Sequence, residues 1–190
     1  PQAIPRLIAL TEGWIAGMKM AALSADASAA MGLSAGSRSI SRYLDEVIFA
    51  PLPPEVFDFL LQTSMLNRLH PDLCDVVCGR NNARAMLAWI ERHNLFLSAL
   101  DESGLWFRYH PLMRDALLHR LRHSGEIDIR QLHDRASGWF ASQQLWAEAI
   151  RHALAAGKSA AKDAEAGAQS LAEEGDIDTL VQWIRYLPAN

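Results

Sequence analysis

The sequence has little that would perform chemistry or hold a charged polymer. Only two of its 190 residues are cysteine, and 22 acidic side chains outnumber 18 basic ones, for a net charge of -4. That balance argues against a broad electrostatic grip on nucleic acid, although it leaves room for a local basic face. No apolar run approaches the roughly 20 residues needed to cross a bilayer, so no membrane partner is expected. There is no G-x-x-x-x-G-K-[ST] loop, the Gly-rich backbone plus lysine that cradles phosphates. Cys74 and Cys78 stand four apart at helical spacing. Adjacent helical turns give poor disulfide geometry, so reduced thiols in a cytoplasmic protein are expected. The opening Pro-Gln-Ala-Ile-Pro-Arg-Leu has no Met and no signal-peptide layout, and the chain stops abruptly after Leu187-Pro188-Ala189-Asn190. Both ends read as cuts through a longer protein.

What is present is enough apolar material for a core, 50% hydrophobic against 21% charged, in a length that allows one large domain or two small ones. A single stretch reads as β-structure, Leu95 to Arg114. Leu95, Phe96 and Leu97 open one extended apolar run, and Leu105, Trp106, Phe107 and Tyr109 form a second. Asp101-Glu102-Ser103-Gly104 between them is turn chemistry that suits a short hairpin. The residue before a proline is pushed toward extended geometry, so His110 should end the strand and Pro111 should take the first helical position.

The rest reads helical. Ile4 to Leu23 is apolar at helical spacing, and the Ala-, Ser- and Gly-rich 24–37 follows as a linker. A helix through Leu44, Val47 and Phe49 is stopped by Pro51-Leu52-Pro53-Pro54, which also starts the next. Pro71 to Cys78 should end at Gly79. Ala83 to His93 should bury Met86, Leu87 and Ile90, with Asn94 as a left-handed cap. Pro111 to His123 breaks at Ser124-Gly125, and Ile129 to Gln143, Trp146 to Ala156, Ala160 to Glu174 and Asp178 to Leu187 complete the set. Gly175, Leu180, Val181 and Ile184 echo Gln144, Ala149, Ile150 and Ala153 about 31 residues on, near the period of stacked helical hairpins. Ala136, Ala149 and Ala153 would allow close helix contact, and Trp139, Phe140, Trp146 and Trp183 would fill the space between repeats. The expected fold is mainly α, a winged-helix-like domain with one small β-hairpin followed by TPR-like helical-hairpin repeats.

Four stretches carry a resemblance: TEGWIAGMKMAAL at 11–23, YLDEVIFAPLPPEVFDFLLQTSMLNRL at 43–69, WIERHNLFLSALDESGLWFRYHPLMRDALLHRL at 89–121 and ASGWFASQQLWAEAIRHALAAG at 136–157. Taken in order, they resemble the middle of MalT-like, ATP-dependent LuxR-family transcriptional regulators, which belong to the signal-transduction ATPases with numerous domains. The resemblance implies the end of an ATPase-module helical region at 1–24, a linker at 25–37, a winged-helix domain at 38–124 and helical repeats at 125–190. It implies a segment that is no enzyme and holds no cofactor or metal itself. The intact protein would bind and slowly hydrolyse ATP through a module absent here, and would bind DNA through an absent C-terminal helix-turn-helix. The implied partners are that ATPase module, the sensor repeats and other copies of the protein.

The resemblance also implies nucleotide-sensing residues. Gly13-Trp14-Ile15 aligns with a Gly-x-Pro motif that lies beside the nucleotide in related ATPases, with Ile15 where that motif has proline. Related proteins carry a winged-helix histidine that reaches the ADP β-phosphate, and His110 is the best candidate for it here because it precedes a helix, whose N-terminus favours anions. Against this stands a strand-end histidine bonded only to nearby backbone. Arg108, Arg114 and Arg120 are expected to pack on the ATPase module. Together with Arg122 they also support a competing reading, a DNA-binding winged helix, but Asp101, Glu102 and Asp115 interrupt that cluster. A free-standing helical scaffold for partner proteins is the other alternative. No catalytic group emerges. His70, Cys74 and Cys78 lack a fourth zinc ligand, and His119 and His123 lack the glutamate of H-E-x-x-H.

Overall fold

The computed structural model describes residues 44–159 and 163–167. They divide into two units. One comprises residues 44–71 and Arg84–Gly125, and the other comprises Asp72–Ala83 with the described residues from Glu126 onward. The 1–24 region with Gly13, Trp14 and Ile15, the 25–37 linker, and Gly175, Leu180, Val181, Trp183 and Ile184 lie outside the described residues.

The first unit opens on Leu44–Phe49, which the sequence suggests as an ordinary helix and which forms a π-helical segment. Its wide turn shows in the bond from Ala50 N–H to Asp45 O, five residues back at 3.0 Å. Helix α1, Pro54–Thr63, then begins as the prolines require, with Pro at the first position and Glu55 in the first turn. It buries Val56, Phe59, Leu60 and Leu61. After it the chain passes through Leu69, whose N–H and C=O both pair with Phe107 at 2.7 and 2.9 Å.

Helix α2 is Pro71–Cys78 and α3 is Ala83–Arg92. Met86, Leu87 and Ile90 of α3 are buried as the periodicity requires. Asn94 takes φ 51°. Its N–H bonds Glu91 O at 2.9 Å and that of Leu95 bonds Ile90 O at 3.1 Å, which terminates the helix in a Schellman motif.

The hairpin follows. Strands β1, Leu97–Ala99, and β2, Phe107–Tyr109, pair antiparallel with Leu97 opposite Tyr109 and Ala99 opposite Phe107. Asp101 fixes the turn: its Oδ1 accepts from the N–H groups of Leu105 and Trp106, both at 3.1 Å, and its Oδ2 accepts from Ser103 Oγ at 2.5 Å. Gly104 supplies φ 62°. The first apolar run is shorter as a strand than the sequence suggests, because Phe96 stands at φ 56° and leaves extended geometry. Since β2 pairs with β1 on one edge and with Leu69 on the other, it is the middle of the wing. Helix α4, Pro111–Ser124, starts immediately and ends at Gly125 with φ 65°. It buries Leu112, Met113, Ala116, Leu117 and Leu121. A buried hydrogen bond between Thr63 Oγ1 and Tyr109 Oη, 2.8 Å, joins α1 to β2. This is a winged-helix arrangement.

In the second unit, α2 ends in another Schellman motif at Gly79, φ 64°, closed by Arg80 N–H to Asp75 O at 2.9 Å. Helices α5, Ile129–Ser142, and α6, Trp146–Ala155, form a helical hairpin. Asp128 caps α5 by accepting from the N–H groups of Arg130 and Gln131. Ala136, Ala149 and Ala153 are buried, and Ser137 Oγ donates to Ala149 O at 2.9 Å, so small side chains do bring these helices close. Phe140 is fully buried and Trp139 and Trp146 are half-buried. The chain is thus mainly helical, a winged helix with one hairpin followed by helices.

Candidate functional site

A buried histidine of the first unit lies where β2 hands over to α4. Pro111 cannot donate, so the first helical N–H needing a partner is that of Leu112. His110 supplies it: Nδ1 accepts from Leu112 N–H at 3.3 Å, doing the work of an N-cap side chain. His110 also donates its own N–H to Phe96 O at 2.8 Å, and its carbonyl accepts the N–H of Arg114 at 3.0 Å as the first helical bond. With Nδ1 accepting, the neutral ring carries its proton on Nε2. The residue is only 7% exposed, and Nε2 is buried without a hydrogen-bond partner. An unsatisfied buried donor costs on the order of 1–3 kcal/mol, and here it sits at the positive end of a fourteen-residue helix. The side chain therefore has the local backbone bond expected of a strand-end histidine and a second nitrogen that this bond does not use.

The three arginines singled out from the sequence occupy different places. Arg120 of α4 pairs with Asp45 and lies over the rings of Phe49 and Phe57, 5.0 and 5.8 Å from their centroids, holding the π-helical segment and α1 to α4. Arg114 donates from Nε to Leu66 O at 3.2 Å and from Nη2 to Asn67 Oδ1 at 2.8 Å. Both guanidiniums are thus engaged within the first unit. Arg108 is exposed on β2, between buried Phe107 and Tyr109. The fourth, Arg122, lies in the last turn of α4, where its charge suits the helix dipole.

Two groupings were not visible in the sequence. Beside the wing, Arg68 lies 4.5 Å over the Trp106 ring, which the His70 ring also meets at 5.1 Å. In the second unit His133 and His152 share an Nδ1···Nδ1 hydrogen bond of 2.8 Å, and the His152 ring stacks on Phe140. Burial, then the neighbouring His133 and Arg151 charges, push the His152 pKa down to about 3 from the ordinary 6.5. Burial, with Arg151, lowers that of His133 as well. The partners in each of these contacts are twelve residues or more apart in sequence, with no local spacing to announce them. His119 and His123 stack on one another along α4. Among the described residues no three His, Cys, Asp or Glu side chains converge as a metal site would require.

Comparison with known proteins identifies residues 44–128 with the MalT winged helix domain. Over 98% of its length the chain is 37% identical to the serine/threonine-protein kinase PknK of Mycobacterium tuberculosis. It is 34% identical over 76% of its length to the HTH-type transcriptional regulator MalT of Klebsiella pneumoniae, and 32% over 83% to that of Cronobacter sakazakii. The chain spans 17–18% of the length of these relatives.

Proposed function

Since the chain belongs to the MalT-like proteins and carries their winged helix domain at residues 44–128, we propose that it is a regulatory segment that transmits shape between the parts of a larger regulator. Two relatives support that division of labour by their different names, one a protein kinase and the other a transcriptional regulator. A stretch similar in both, and less than a fifth of each, fits a control element better than either output. In the fuller form of this reading, the winged helix closes on an ATPase module when ADP is bound, and the helices after it, as the first of a set of TPR-like repeats, bias that closure when an inducer arrives. Such coupling requires each ligand to favour one of the two states. The chain itself hydrolyses nothing and reads no operator.

The observation that carries the nucleotide link is the unpartnered His110 Nε2 at the start of α4. A phosphate oxygen is the acceptor this donor lacks, and the helix dipole favours an anion at the same end. Nε2 is sealed here, so the contact depends on the ring or its cover moving. That dependence on state is what a switch requires. In a longer protein containing this segment, His110→Ala is expected to weaken ADP binding and raise basal output. Unchanged ADP affinity together with unchanged basal output would defeat the nucleotide link.

A second reading keeps the mechanism and changes the output. The 37% identity to PknK extends over 98% of the chain, so the controlled activity could equally be a kinase. A phosphotransfer assay and a promoter-binding assay on the longer protein separate the two.

A further inference from the structure

The left-handed residue beside His110 is one that local rules do not explain. Of the three non-glycine residues at positive φ among the described residues, Asn94 and Gln144 each close a helix through paired backbone bonds. Phe96, at φ 56°, closes none, and a bulky side chain disfavours that region. What it does is face His110 in two ways. Its carbonyl accepts the His110 N–H at 2.8 Å, and its ring meets the His110 ring edge-on, with centroids 6.1 Å apart at 61°. Continuing the register from Leu97 opposite Tyr109 makes Phe96 the residue opposite His110. A regular pair there would use the His110 carbonyl as well, but that carbonyl is committed to Arg114 N–H in the first helical turn. The left-handed turn at Phe96 is therefore where the ladder gives way to the helix without losing its last bond to His110.

We propose that Phe96 is the positioning residue for His110: its turned backbone and ring edge hold the imidazole with Nδ1 in the helix cap and Nε2 sealed, and releasing that hold frees Nε2 to meet an anionic ligand. This rests on the reading of His110 given above, but its test does not need the nucleotide. Glycine adopts φ near 56° without cost, so Phe96→Gly keeps the backbone bond and the hairpin while deleting the ring. Phe96→Tyr keeps the ring.

The experiment is 15N imidazole spectroscopy on the 190-residue chain, with the Ser98–Arg108 cross-strand contact as the check on the hairpin. The parent and Phe96→Tyr should show His110 as the single Nε2-protonated tautomer. Phe96→Gly should show both tautomers in exchange, with an intact hairpin. A His110 that keeps the single tautomer in Phe96→Gly overturns the proposal. Should Phe96→Gly lose the hairpin, Phe96→Leu, which keeps bulk without the aromatic edge, decides by the same criterion. Failure of ADP to affect His110 in the longer protein would sink the nucleotide reading and leave the role of Phe96 standing.

Discussion

At the scale of single residues, the interior holds a few polar groups whose partners set measurable costs. Tyr109 Oη bonds Thr63 Oγ1, which also donates to Phe59 O at 2.7 Å. Tyr109→Phe leaves Thr63 with that second partner, so a loss of about 1 kcal/mol is expected from urea unfolding. Thr63→Val should cost more, because it removes both bonds of the hydroxyl, to the buried phenol and to Phe59 O. His152 gives a pH dependence whose sign follows from its depressed pKa. The unfolded histidine takes a proton near 6.5, whereas the folded one resists protonation down to about 3. The unfolded chain thus binds more protons in that window, and the contribution is complete above 6.5 and lost progressively as pH falls toward 3. His152→Phe, which keeps a ring against Phe140, should flatten the decline in unfolding free energy between pH 7 and 4. A decline as steep as the parent's would show that other groups carry it. Neither the His133–His152 pair nor the left-handed Phe96 could be read from the sequence, since both are set by contacts between residues far apart along the chain.

At the scale of elements, helix ends and the wing turn were legible because their causes are local. Pro111 opens α4, Gly79 and Asn94 close α2 and α3, and Asp101 to Gly104 turn the hairpin, each by chemistry confined to a few neighbouring positions. The π-helical form of Leu44–Phe49 was not legible, because Arg120, seventy-odd positions away, holds it through Asp45 and two aromatic rings. Arg120→Ala removes a half-exposed ion pair worth about 0.5 kcal/mol and ring contacts worth about as much. The expected outcome is faster amide exchange within 44–50 with little change in the exchange of α4. The α5–α6 connection allows an opposite experiment. Gln144, at φ 58°, closes α5 with Gln144 N–H to Ala141 O and Leu145 N–H to Phe140 O, a position that favours glycine. Gln144→Gly should raise stability by about 0.5–1 kcal/mol, the relief of left-handed strain less the added freedom of the unfolded chain. A lowered unfolding midpoint would contradict that account.

At the scale of the whole molecule, the helices and the hairpin follow the sequence in order, but their grouping does not. Asp72–Ala83 lies between α1 and α3 in sequence and belongs with the described residues from Glu126 onward, a grouping that periodicity cannot encode because every helix there has an apolar face to bury. The arginines show the same limit: the bond of Arg114 to Asn67 and the pairing of Arg120 with Asp45 join residues far apart along the chain. The candidate site was legible to the extent that His110 precedes a proline-started helix; its orphaned Nε2 and the Phe96 ring beside it required the fold. The proposed switch is one in which ADP closes the winged helix through this histidine. Amide hydrogen exchange of Phe107–Ser124 in a longer protein bearing the ATPase module, with and without ADP, tests it most directly. Added protection of this segment by ADP, abolished by His110→Ala, is the predicted result; protection that ADP leaves unchanged, or that survives the substitution intact, would contradict it.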